Sequence, residues 1–403
     1  LKTGEKPYRF LSRILELLFL GMVFFLPISK AALEILFTLA LLVFAAKKIY
    51  SRESIVIPCR CLMWLGAFAT FCTLSLAVTP DFSLSFKALF FKWGEYLLLF
   101  LIISDSLRPK TNRSKTIVYL FLSMVFLIAC DGIFQRNFGY DIFQHQPLRI
   151  SSGNLKAMTG PFEHNNMFGT FLGAGLIMGL AFFIKPTENP VKKRIIWGIF
   201  ISVCAVGLLG SLSRGAWLGF FAALCLMMFL APTKKIFLGI LGFLVLLFLV
   251  GQPFRDRLLF TLQPHGDADR LIFWKSAWQM ICENPLLGHG IGTFMRLFPK
   301  YAPLVYVHYA HNTFLQIWAE TGLLSLASFI IFLWSVFWTA IKTIKHNFDP
   351  FVLGVLCALF GFVVHSTMDV HFYSLQLSFF FWLFLGLLHA RIHEGVTFTK
   401  LAS

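Results

Sequence analysis

The feature that most constrains this chain is the recurrence, along its whole length, of apolar runs about as long as a bilayer crossing. A helix spanning hydrocarbon needs ~20 mostly apolar residues, and its backbone polar groups must be satisfied within the segment. About twelve runs meet that criterion. They lie near 11–28, 31–47, 61–78, 86–104, 116–134, 165–185, 195–212, 215–231, 236–251, 312–340, 351–367 and 372–391. The 403 residues are 58% hydrophobic and 13% charged, whereas soluble domains carry charge at roughly 25% of positions. No long polar stretch remains for a soluble domain behind a signal peptide. The expected fold is an all-α polytopic membrane protein.

Lysine and arginine set the orientation. With the N-terminus in the cytosol, the inner loops read "KKIYSRESIVIPCRC", "SDSLRPKTNRSK", "KPTENPVKKR", "PTKK" and "IKTIKHNFDP". They are short and basic, as the positive-inside rule requires, and both termini fall inside. This placement explains the formal charge of +16 better than nucleic-acid binding does. Of the cysteines only Cys282 falls outside, so no exported disulfide framework is expected. Cys59-x-Cys61 lacks the second ligand pair that a metal site needs. The chain then divides into helices over 1–251 with an outer loop near 135–164, an outer helical segment over 252–311 between the ninth and tenth spans, and spans plus a cytoplasmic tail over 312–403.

The outer segment opens with "GQPFRDRLLF" and the turn-rich "QPHGDAD", then runs into "RLIFWKSAWQMICENP". Leu271, Trp274, Ala277, Trp278 and Ile281 recur at helical spacing, with Lys275 and Gln279 off that stripe. Asp269 is placed to cap this helix, and Asn284-Pro285 ends it. Such a helix either lies along the outer membrane boundary or packs a small core of its own.

Arg214, in "GLLGSLSRGAWLGFF", sits alone in a loop of a few residues between two apolar runs. Lipid solvates guanidinium poorly, so a charge there needs a counter-charge. Ser211, Ser213, Gly215 and Gly219 are small enough to let a backbone or ligand approach. Arginine is suited to bidentate recognition of phosphate or carboxylate. The bland alternative is an ion pair with Asp131 or Asp369.

In "YVHYAHNTFLQIWAETGLLSL", His308, Asn312, Gln316 and Glu320 are four apart and share one helix face. A polar stripe entering a span implies a cavity. A histidine at its outer end could take a proton from a hydroxyl at neutral pH, or could simply cap and pack. Metal binding with His365, Asp369 or His371 from "VVHSTMDVHFY" is disfavoured because no H-E-x-x-H is present. Closing the other outer loop, "TGPFEHNNMFG" places Glu163 and His164 above the sixth span. Lys87 and Lys92 flank the fourth. Both are suited to snorkelling, and Lys92 stands at contact spacing from Glu95.

Three segments together, "SLSRGAWLG", "DRLIFWKSAWQMICENPLLGHGIGTF" and "HYAHNTFLQIWAETGLLSL", resemble the O-antigen ligase and polymerase superfamily of bacterial membrane glycosyltransferases. The resemblance covers about 150–390 in order and spacing, and the single dominant outer segment looks most like the ligase branch. It implies a GT-C-like fold in the bacterial inner membrane with the site facing the periplasm. The implied donor is undecaprenyl-diphosphate-linked O-antigen and the implied acceptor lipid A–core. No cofactor, metal or nucleic acid is implied, and the anomeric carbon inverts. Carried over residue by residue, Arg214 and Arg270 match the family's diphosphate-holding arginines and His311 its essential histidine. Glu320, Lys92, Asp369 and His308 are supporting candidates. The polymerase branch is the nearest alternative, with Arg149 and Gly160 echoing an R-x10-G spacing. A lipid-linked glycan transporter is more remote, because no half-repeat is evident.

Overall fold

The computed structural model describes residues 5–52, 54–55, 59–107, 111–150, 156–184, 189–232, 242, 268–306 and 309–393. The ninth expected run (apart from Gly242), the stretch 252–267 and His308 lie outside the described residues. The helices are α1 (Glu5–Phe25), α2 (Lys30–Ser51), α3 (Cys59–Leu74), α4 (Phe82–Ala88), α5 (Gly94–Ser106), α6 (Thr111–Phe138), α7 (Asn165–Phe183), α8 (Pro190–Gly210), α9 (Arg214–Leu230), α10 (Ala268–Glu283), α11 (Phe294–Tyr301), α12 (Thr313–His346), α13 (Pro350–His365) and α14 (Leu375–Ile392). A π-turn over Leu89–Trp93 joins α4 to α5. Among the described residues, five helices are long and apolar enough to cross a membrane: Arg113–Phe138 within α6, then α7, α8, α12 and α14. Helices α9 and α13 are shorter apolar helices.

Lipid offers no hydrophobic drive between helices, so close packing has to hold them. Helices α7 and α14 are buried along nearly their whole length, and α13 lies between α7, α9 and α14. Aromatic rings fill the interior, with Phe121 on Phe380 at 5.3 Å, Phe100 on Trp382 at 6.2 Å and Trp93 on Phe372 at 6.3 Å. Helices α9 and α13 touch backbone to backbone. A Cβ on Gly219 would stand 2.5 Å from the Gly361 carbonyl. Lys48–Asp105, Arg113–Glu16 and Arg391–Asp349 pair at 2.7, 2.8 and 2.8 Å. They tie α2 to α5, α1 to α6 and α14 to α13.

The loop after α10 and the break in α12 fit into each other. Gly322, at φ 83° and ψ 172°, divides α12 into 313–321 and 323–346. The turn Pro285–Thr293 wedges into that break. His289 N donates to Ala319 O at 3.1 Å and Gly290 N to Glu320 O at 2.8 Å, while Leu323 N donates to Pro285 O at 2.9 Å. The turn follows this path because Gly288, Gly290 and Gly292 all have positive φ. Residue 322 occupies a region that only glycine adopts readily, and a Cβ there would collide with the Leu286 carbonyl. Gly322→Ala is therefore expected to destabilise by at least ~1–3 kcal/mol, read as a lower unfolding temperature of detergent-purified protein. An unchanged transition would show that the break is dispensable.

Several expectations are corrected. Helix α10 buries Phe273, Ala277, Met280 and Ile281 and leaves Leu271 and Trp278 exposed. It packs a core of its own with Phe294 and Phe298, the second of the two arrangements expected, and of the expected stripe Ala277 and Ile281 are buried. Asp269 lies within the first turn rather than at the cap. The 135–164 segment contains an unforeseen hairpin, β1 (Arg149–Ile150) antiparallel to β2 (Lys156–Ala157). Lys92 is exposed and forms no ion pair with Glu95, because the wider π-turn shifts the three-residue register.

Candidate active site

Helix α9 begins at Arg214 because Ser213 takes an extended conformation and its Oγ accepts from Ala216 N at 3.3 Å. Leu212 before it adopts φ 51°, which turns the chain sharply out of α8. Arg214 is half-buried. Its neighbour Gly215 lies against the His365 ring at the end of α13, where any Cβ would overlap the imidazole. The small residues around Arg214 thus admit another helix to its side.

Arg270 stands in the first turn of α10, and its charge acts on the same His365 ring. One turn on, the Phe273 ring lies 5.5 Å from the ring of His311. His311 sits two residues ahead of α12 at φ 49°, unusual for a side chain bearing a Cβ and a mark of functional sites when the surroundings enforce it. Asn312 follows in extended conformation and caps α12, accepting from Phe314 N and Leu315 N at 3.0 and 3.1 Å. The described geometry therefore gathers Arg214, Arg270 and His311 around His365 and the loop that follows it.

That loop holds Asp369. Its Oδ1 accepts from His311 Nδ1 at 3.1 Å, and Oδ2 accepts from Asn166 Nδ2 at 2.6 Å. Burial alone would raise the Asp369 carboxyl. The hydrogen bond from His311 and the imidazoles of His371 and His365 outweigh it and hold the group well below the usual carboxylate range. A carboxylate only accepts, so the His311 proton sits on Nδ1 and the lone pair on Nε2. The side chain of His311 is 28% exposed and that of Asp369 14%, so the imidazole is the more open of the two and its carboxylate lies beneath.

Asn166 extends the chain of bonds to the arginine helix, its Oδ1 accepting from Ser213 Oγ at 2.8 Å. The N-cap of α9 and the imidazole before α12 are thus joined through Ser213, Asn166 and Asp369. Below them, Thr170 Oγ1 donates to Asn166 O at 2.7 Å and lies 2.8 Å from His365 Nδ1 and 3.2 Å from His371 Nε2. Its one proton is committed, so both rings donate to it. Burial lowers His371 to about 4, with Asp369 opposing the shift, and the ring is neutral at pH 7. The ligand atoms of His365, Asp369 and His371 lie within 4.8 Å of one another, the spacing of a metal site. Here each is engaged by Thr170, His311 or Asn166. Helices α7, α9 and α12 all begin at this network, and their first-turn N–H groups and dipoles favour an anion.

The polar stripe does something other than line a cavity. Glu320 accepts from Gly292 N at 2.8 Å, Phe294 N at 3.2 Å, Gln316 Nε2 at 3.1 Å and Tyr373 Oη at 2.8 Å. It fastens the inserted turn and the start of α11, while Gln316 Oε1 receives Ala310 N at 3.1 Å. The stripe is polar because it binds backbone. Of the two carboxylates among the supporting candidates, Asp369 makes the contact with His311 and Glu320 does not. Among the described residues, no hydrogen bond or ion pair joins Lys92 to the cluster. Asp131, weighed as a partner for Arg214, accepts from Ile142 N at 2.7 Å. Sequence reading missed Asn166 and Thr170. Their signal was the four-residue spacing that puts both on one face of α7 directly after Glu163 and His164.

Residues 197–330 match a family model described as O-antigen ligase, a segment that contains Arg214, Arg270, His311 and Glu320. An O-antigen ligase of Salmonella typhimurium is 27% identical over 282 residues, 64% of this chain and 64% of that protein. The match thus spans just under two thirds of that relative. An uncharacterized protein of Haemophilus influenzae is 21% identical over 322 residues, 70% of this chain and 77% of that one. Among solved structures, a chain from "Structural coordination of polymerization and crosslinking by a peptidoglycan synthase complex" has a TM-score of 0.46 at 16% identity, covering 85% of this chain and 98% of that one. The family model and the Salmonella relative thus agree in what this chain is similar to, the O-antigen ligases.

Proposed function

We propose that this chain is an O-antigen ligase, which transfers O-antigen from undecaprenyl diphosphate to a hydroxyl of lipid A–core at the periplasmic face of the inner membrane. The observation that carries the reading is the His311–Asp369 pair at 3.1 Å, tied through Asn166 to the helix that begins with Arg214. The acceptor O–H proton moves to His311 Nε2 as the oxygen attacks the anomeric carbon. The bond from that carbon to the diphosphate breaks, and its electron pair leaves with the diphosphate oxygen. Displacement from the opposite side inverts the sugar carbon.

Diphosphate departs readily only if its growing charge is met. Arg214, Arg270 and the N-termini of α7 and α9 supply fixed positive potential where other transferases use a divalent ion. This supports a metal-independent reaction. A twelve-span arrangement with both termini inside would put His311, Asp369 and both arginines on the outer side, where a lipid-linked donor is reached without a nucleotide sugar. The Phe- and Leu-rich helix exteriors suit the polyprenyl tail.

The test is the lipopolysaccharide pattern of a strain lacking this chain, complemented with wild type or with His311→Asn. Core without any O-antigen, restored by wild type alone, is expected. Core bearing a single repeat unit would move the assignment to the polymerase branch. Unaltered O-antigen in the deletion strain would remove it altogether.

A further inference from the structure

We propose that His164, locked in one tautomer by Arg149, binds the acceptor sugar at an oxygen next to the hydroxyl being activated. This rests on the transferase reading and adds to it the residue that grips the second substrate. Pairing of β1 with β2 fixes the backbone of Arg149, and its Nη1 lies 2.9 Å from His164 Nδ1. Guanidinium has donors and no acceptor, so Nδ1 accepts and the ring proton sits on Nε2. Burial first, then the Arg149 charge, lower the proton affinity of His164, which keeps the ring neutral at pH 7.

His164 occupies the N-cap position of α7 yet makes no capping bond with its side chain. Serine, threonine, aspartate or asparagine would serve a cap better, so the side chain is spent elsewhere. Among the described residues no protein group accepts from Nε2. The adjacent carboxylate, Glu163, is taken by Lys30 at 2.6 Å. The His164 ring lies within electrostatic reach of Asp369 and His311, and Asn166, two residues on, bonds to Asp369 directly.

The two imidazoles are therefore locked in opposite senses. His311 donates from Nδ1 and presents an acceptor; His164 accepts at Nδ1 and presents a donor. A sugar diol offers the matching pair, a proton on the attacking hydroxyl and a lone pair on its neighbour. In a displacement, nucleophile and leaving group stand on opposite sides of the reacting carbon. His164 groups with the base, within electrostatic reach of His311 and Asp369.

The experiment uses full-length protein in lipid vesicles with lipid-linked O-antigen and lipid A–core, each varied in turn. His164→Ala is expected to raise the acceptor KM about tenfold, the order of one net hydrogen bond, with donor KM and kcat little changed. His164→Gln, whose amide nitrogen reaches the Nε2 position, should bring the acceptor KM back to within about threefold of wild type. His164→Asn, which reaches only as far as Nδ1, should not. An unchanged acceptor KM in His164→Ala, a rise confined to the donor KM, or equal values for the Gln and Asn variants would overturn the proposal. His311→Asn in the same vesicles separates the two readings. If it retains wild-type turnover the transferase mechanism falls, whereas an inactive His311→Asn beside an unaltered His164→Ala removes only this subsite.

Discussion

Replacing His311 by asparagine is expected to slow glycan transfer by roughly 10²–10⁴-fold, the usual contribution of a positioned general base. Asparagine is the informative choice because residue 311 sits at φ 49°, and asparagine tolerates the left-handed region better than most residues. Its amide can still donate to Asp369, so the carboxylate is not stranded and the fold should persist. An amide does not accept a proton at neutral pH, and only the chemistry is lost. Asp369→Asn attacks the same step differently. An asparagine at 369 can donate to Nδ1 and so stabilises the opposite tautomer, with the proton on Nε2. A comparable loss is expected, and the double variant should be little worse than either single one, because residues acting as a unit do not add. Wild-type transfer by His311→Asn, at normal protein level in the membrane, would end the base assignment.

The second large effect is expected at the arginines. Removing a preorganised group that meets developing charge costs about 10²–10³-fold, so Arg214→Ala and Arg270→Ala should each lower kcat by that order. Lysine should rescue poorly, because a point charge cannot reproduce the planar fork that grips two phosphate oxygens. The loss should appear in donor turnover while acceptor KM stays near its wild-type value, the reverse of the pattern expected at His164. Either alanine variant turning over at the normal rate would show that its guanidinium does not meet the leaving group.

The helical framework was legible because apolar runs of bilayer length admit few alternatives, and every described run coincides with a helix. Arg214 stood out in the sequence for a related reason: a lone cation in a loop of a few residues has nowhere innocuous to go. The pairing of His311 with Asp369 was not. The two are 58 apart in the chain, and both lie in loops where periodicity carries no information. The four-residue spacing of Asn312, Gln316 and Glu320 located a polar face correctly, but its partner is backbone. Seeing that required the break at Gly322 and the turn that fills it. Helix α10 was legible in part, since Ala277 and Ile281 of its expected stripe are buried while Leu271 and Trp278 are exposed.

The wedge of Pro285–Thr293 in the broken α12 bears on how this chain could be re-engineered. The contact is made largely of main-chain groups and glycines, so no side-chain library can repair a poor fit between its halves. A chimera that imports the glycine turn from a related chain while retaining its own 319–323 would join two surfaces shaped for other mates. Exchanging 285–294 and 319–323 together keeps the joint intact and leaves the rims around it free to vary.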